Sequence, residues 1–108
     1  MKEGLIQKMK ALSNECRIDL LLELAKASEP MCVGKLAESI GIAEARVSRG
    51  LQILSYAGLV VAKRRGTRVF YNLNADDCVA MSLSRCLAGA VGIHENKNPK
   101  KSRKGMVK

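Results

Sequence analysis

Apolar residues at Leu5, Ile6, Met9 and Leu12 recur at helical spacing, and a stronger run at Ile18, Leu21, Leu22 and Ala25 follows the polar pair Ser13-Asn14. The pattern predicts a short helix, a break carrying a capping residue, and a core helix from about Glu15 to Ala27, with Pro30 as a stop signal. Val33, Leu36, Ala37 and Ile40 mark a third short helix, which Gly41 can close because glycine adopts the left-handed conformation without steric cost. A fourth helix starts almost at once, with Val47, Leu51 and Leu54 as its buried stripe and Gly58 as its end. Two helices joined this tightly predict a helix-turn-helix.

From Leu59 the period changes to two. Leu59–Ala62 and Val69–Leu73 are β-prone, with Arg65-Gly66 as turn candidates between them, so a β-hairpin, or wing, is expected. Asn74 is then expected to cap a last helix, with Asp76 and Asp77 in its first turn where the helix dipole favours them. The apolar stripe of that helix is Val79, Leu83, Cys86 or Leu87, and Ala90, for which no intrachain cover is left. With the first helix it forms the candidate dimer interface. The expected fold is mainly α with a small β-hairpin: a winged helix-turn-helix in the order α-α-α-α-β-β-α over residues 1–94, followed by a disordered basic tail over 95–108.

Composition narrows the partner. The chain has 108 residues, 47% of them hydrophobic, which suits one small domain that gains from burying further surface in a dimer. Its net charge is +9, which favours an anionic partner. Six of those charges, Lys97, Lys100, Lys101, Arg103, Lys104 and Lys108, lie in residues 97–108, leaving +3 on residues 1–96. The tail alone therefore does not identify a nucleic-acid-binding fold. No run approaches the length of a membrane span and the first ten residues lack an apolar signal core, so a cytoplasmic protein without membrane contact is expected. A single histidine, no glycine-rich phosphate loop and no spaced carboxylate or nucleophile set argue against an enzyme.

The chemistry points to duplex DNA. Opposite the buried stripe of the fourth helix lie Ala45, Arg46, Ser48, Arg49 and Gln52. Arg pairs with guanine edges and Gln with adenine edges in the major groove, and Ser holds phosphate. The hairpin adds Lys63, Arg64, Arg65 and Arg68 around a glycine, a cluster able to neutralise several phosphates. An ordinary solvated helix face and a decorated hairpin explain each feature separately; their succession favours DNA. Two alternatives on the same fold are a protein- or RNA-interaction module and a sequence-tolerant architectural DNA binder.

The stretch from Ala11 to Leu73 resembles the arsenic- and metal-responsive repressor family usually called ArsR/SmtB. The resemblance rests on the L-S-N-E-x-R-I opening, the C-V-G-K-L-A segment, V-S-R-x-L followed by I-L-x-x-A-G-L-V, and the wing R-R-G-x-R-V-F-Y. It implies a homodimer that reads a roughly palindromic operator through the fourth helix, with half-sites about one turn apart, and releases DNA on effector binding or oxidation. Two departures from the family pattern are Ala43, where a small hydroxyl residue often caps the reading helix, and Gly50, where a histidine often follows V-S-R. A mid-helix glycine costs about 1 kcal/mol, so either the helix tolerates a soft spot or the backbone needs a close approach there.

The thiols leave the effector open. Cys16, Cys32, Cys78 and Cys86 show no C-x-x-C spacing. Cys32-Val33-Gly34 supplies one thiol of the C-V-C box of the family's arsenic sensors, and Asp76-Asp77-Cys78 half of an Asp-x-His element at the last helix. Cys78 and Cys86, eight residues apart, stand about 12 Å from each other along one helix, too far to share one ion. In an antiparallel helix pair crossing near Ser82, Cys78 of one subunit would face Cys86 of the other. Arsenite, a soft divalent metal (at Asp76, Cys78 and Cys86) and an oxidant are the candidate effectors, and buried hydrophobic cysteines are the alternative.

Overall fold

A computed structural model describes residues 2–97, with side-chain surroundings up to residue 87. Its elements are α1 (Lys2–Leu12), α2 (Glu15–Lys26), β1 (Met31–Cys32), α3 (Val33–Ile40), α4 (Glu44–Tyr56), β2 (Val60–Arg65), β3 (Arg68–Leu73) and α5 (Cys78–Lys97). The five helices and the hairpin occur in the expected order. The predicted tail boundary falls inside α5, and residues 98–108 lie outside those described.

The helix starts follow from local chemistry. Asn14 caps α2 by accepting the Arg17 N–H at 3.1 Å, and Gly41 closes α3 at φ 84°, its N–H bonded to the Ala37 carbonyl at 2.8 Å. Val47, Leu51 and Leu54 of α4 are fully enclosed against Leu20, Leu21 and Leu24 of α2 and Leu36 of α3. Each such side chain contributes roughly 1.5–3 kcal/mol on burial, so α4 is held by the centre of the core.

Four expectations need correction. First, Met31–Cys32 forms a short strand, antiparallel to β3, which makes the hairpin a three-stranded sheet in the order β1-β3-β2. Second, the wing turn is Gly66-Thr67, one position later than read: β2 runs on to Arg65, which pairs with Arg68, and Gly66 takes φ 64° at the tip. Polar side chains do not end a strand when the backbone ladder can continue. Third, α5 begins at Cys78, and its first turn is capped by Asp77, whose Oδ2 accepts the Ala80 N–H at 2.9 Å. Asn74 instead shapes the preceding turn, accepting from the Asp76 N–H and donating to the Gly58 carbonyl. Fourth, α5 does have intrachain cover: it packs against α2, with Ala80 buried and Val79 and Leu87 against the core. Leu87, not Cys86, continues that stripe, and Cys86 is exposed.

The apolar stripe of α1 behaves differently. Ala11 turns inward, but Leu5, Ile6 and Met9 are 49%, 45% and 61% exposed. Lys8 reaches α5's capping residue, its Nζ 3.3 Å from Asp77 Oδ1.

Candidate nucleic-acid interface

Helix α4 presents its polar face outward because its opposite face is fixed in the core. Arg46, Arg49 and Gln52 are exposed, as is Ala45, while Ser48 is half-buried at the edge. Ser48 borders a recess of about 400 Å³ shared with Cys32, Val33 and Gly34 at the start of α3 and with Arg68, Val69 and Tyr71 of β3. Helix α4 and the wing therefore border one recess.

The strand register sorts the wing cations. Lys63 lies opposite Phe70 and Arg65 opposite Arg68, so Lys63, Arg65 and Arg68 share a face with Phe70, whereas Arg64, opposite Val69, projects from the other. The Arg65 guanidinium sits 5.6 Å from the centre of the Phe70 ring, a cation–π contact that limits its wandering. Among the described residues, neither these four cations nor Arg46 and Arg49 are held in an ion pair. Their charge is thus available to an external anion.

The two departures from the family pattern have distinct physical consequences. Ala43 occupies the cap of α4 without a side-chain hydrogen bond, so the first-turn amides lack the usual side-chain acceptor. Gly50 is buried where α4 crosses α2, and a Cβ built there would lie 2.9 Å from Leu20 Cδ1 and 3.5 Å from Arg17 Cγ. The glycine is a close-approach position.

That crossing brings in Arg17, a residue the sequence reading did not single out. Its Nε donates to the Ala11 carbonyl and its Nη2 to that of Lys10, joining α2 to the C-terminal end of α1. Arg17, Asn14 and Cys16 line one recess with Arg46, Arg49, Gly50 and Ile53. The advance signals were Asn14, whose capping role sets the first turn of α2 at this place, and the arginine of the L-S-N-E-x-R-I opening, which is Arg17.

The thiols are dispersed. Cys16 and Cys32 are half-buried and Cys78 and Cys86 exposed, all four unbonded. Asp76 is exposed beside Cys78, but among the described residues no three His, Cys, Asp or Glu side chains gather as a metal site. The described residues of a single subunit thus do not gather into a metal centre. No helix among the described residues is long and apolar enough to cross a membrane.

Comparison with known proteins follows the same outline. Residues 14–61 match the model of the family described as bacterial regulatory protein, arsR family. The chain is 34% identical over 86 residues to the HTH-type transcriptional regulator NmtR of Mycobacterium tuberculosis, covering 80% of this chain and 69% of that protein. It is 33% identical over 66 residues to the arsenical resistance operon repressor ArsR2 of Halobacterium salinarum, covering 61% of this chain and 56% of the relative's length. Among solved structures, the homodimeric winged helix-turn-helix DNA-binding domain of Mb0332 from Mycobacterium bovis superposes with a TM-score of 0.67 at 27% identity, over 94% of this chain and 88% of that one. With its inward-anchored fourth helix, basic wing and matching relatives, the chain belongs to the arsR family of bacterial regulatory proteins and has their winged helix-turn-helix fold.

Proposed function

We propose that the protein is a sequence-specific transcriptional repressor that binds a roughly palindromic DNA operator as a homodimer. The carrying observation is that Ser48 of α4 and Arg68 of the wing border one recess, so the outer face of α4 adjoins a wing whose cations, like Arg46 and Arg49, are in no ion pair among the described residues. In this reading Arg46, Arg49 and Gln52 contact base edges in the major groove, Ser48 holds backbone, and Lys63, Arg64, Arg65 and Arg68 neutralise phosphates. Leu5, Ile6 and Met9 supply the apolar face that a second copy covers, as the homodimeric relative supports.

Selection from a randomised duplex pool tests the reading. A repressor enriches one palindromic sequence; Arg46→Ala, Arg49→Ala and Gln52→Ala then each lose about 1–3 kcal/mol of discrimination at particular bases. Substituting the wing cations weakens all duplexes alike and flattens the salt dependence. Binding without any enriched sequence would indicate an architectural protein, and no duplex binding an interaction module.

Release by a thiol-reactive effector is part of the same proposal, because Cys78 and Cys86 are exposed on α5 and relatives carry the names of arsenical resistance repressors. Paired α5 helices would bring Cys78 of one subunit to Cys86 of the other, with Asp76 nearby, for arsenite or a soft divalent metal. Oxidation of Cys16 on α2 with Cys86 on α5 is the second choice, and Cys32, one thiol of the C-V-C box, the third. Loss of arsenite-induced release in Cys78→Ser and Cys86→Ser, with release retained in Cys16→Ser and Cys32→Ser, is the expected result.

A further inference from the structure

We infer that the recess between the first turn of α2 and the middle of α4 is a seat for a DNA backbone phosphate, with Arg17 as a contact outside both the reading helix and the wing. The inference rests on the proposed DNA binding and deepens it. Three arginines on two helices, Arg17, Arg46 and Arg49, line one recess of about 190 Å³ together with Asn14. None of the three is held in an ion pair among the described residues. Like charges gathered without a carboxylate repel one another, and an anion placed among them relieves that repulsion.

Arg17 is also restrained. Two of its five N–H donors are bonded to the Ala11 and Lys10 carbonyls, leaving three for a ligand. An arginine held in this way loses little side-chain freedom on engaging a phosphate. Gly50 lets α4 approach α2 closely at this recess, since any side chain there would meet Leu20 and Arg17. The anion's source is the duplex, because Arg46 and Arg49 are on the outward face of α4 and a groove-bound helix has strand phosphates along its flanks.

Cys16 lies in the same recess and reports on it without altering Arg17. In a Cys32→Ser/Cys78→Ser/Cys86→Ser background, saturating duplex should slow iodoacetamide alkylation of Cys16 several-fold, with the effect lost at high salt. The Arg17→Gln variant should lower the slope of log K against log salt by about 0.9 per subunit, equally for selected and unrelated duplexes. Arg17→Lys, which keeps the charge but loses the fork that joins α1, should keep a slope near that of the parent. Alkylation of Cys16 that ignores bound duplex overturns the seat. Equal loss of slope in the lysine and glutamine variants does so too, since Arg17 would then act only by capping α1. If the parent binds duplex through Arg46 and Arg49 and either of these results is found, the seat fails while the DNA-binding reading stands. If the parent binds no duplex, both fail.

Discussion

Helices α1 and α4 carry apolar stripes of similar spacing but use them in opposite directions. In α4, Val47, Leu51 and Leu54 are fully enclosed by the chain's own core, and the polar face looks outward. In α1, Leu5, Ile6 and Met9 look outward while Lys8 and Ala11 turn toward the protein. A similar helical period thus marks an internal packing face in α4 and, at Leu5, Ile6 and Met9, an external one in α1, where Leu12 alone of the predicted stripe packs against the core. The difference lies in what each helix meets: α4 crosses α2 and abuts α3, whereas α1 lies at the edge and touches α2 and α4 with its narrower side.

The largest way to break this contrast is to push α4 off its seat. Gly50→Leu would drive a side chain into Leu20 and Arg17, where even a Cβ comes within 2.9 Å of Leu20 Cδ1. Urea unfolding should show a loss of about 3 kcal/mol, the upper part of the overpacking range, despite leucine's better helix propensity. An unchanged midpoint would mean that the α2–α4 crossing is loose. Next, charging the exposed face of α1 should leave the fold intact and remove the dimer. For Met9→Glu, sedimentation should show a dissociation constant raised roughly thirtyfold, corresponding to about 2 kcal/mol. A loss of secondary structure in place of dissociation would show that α1 packs inward.

A smaller change sharpens the comparison at the start of α4. Ala43→Ser supplies the missing cap and should stabilise the chain by about 1 kcal/mol, without moving the dimer equilibrium. The smallest effect concerns α2, on which both helices rest. Asp19 has its pKa raised above the usual aspartate value, by partial burial and then by Glu15 and Glu23 one turn to either side. The folded chain therefore holds this proton more tightly than the unfolded one, and stability falls as pH rises from the unfolded value through the raised one. Asp19→Asn should give a slight gain at neutral pH that vanishes in the acid range; a gain independent of pH would exclude the charge as its cause.

How far these features were legible depended on whether they were local. The stripe of Val47, Leu51 and Leu54, the outward set Arg46, Arg49 and Gln52, and the stop at Gly41 could all be read because helix period and capping act within a few residues. The strand Met31–Cys32 could not, since two residues carry no period and owe their conformation to β3, far along the chain. Cys86 and Leu87 were equivalent by spacing alone, and only the position of α2 decides between them. The meaning of Gly50 was undecided for the same reason: a soft spot and a close approach look alike until Leu20 is placed opposite. Arg17 was hidden because its neighbours in the recess, Arg46 and Arg49, come from a different helix.

The bond between Lys8 and Asp77 has a further consequence, for the order in which the molecule assembles. It joins α1 to the cap of α5 across most of the described chain, so it belongs to the contacts whose loop-closure entropy is greatest. The α3–α4 turn and the two-residue hairpin close far smaller loops. On loop-closure grounds the α3–α4 turn and the hairpin are thus expected to form before the contact of α1 with the cap of α5. The seam between α1 and the start of α5 is then the costlier one to close.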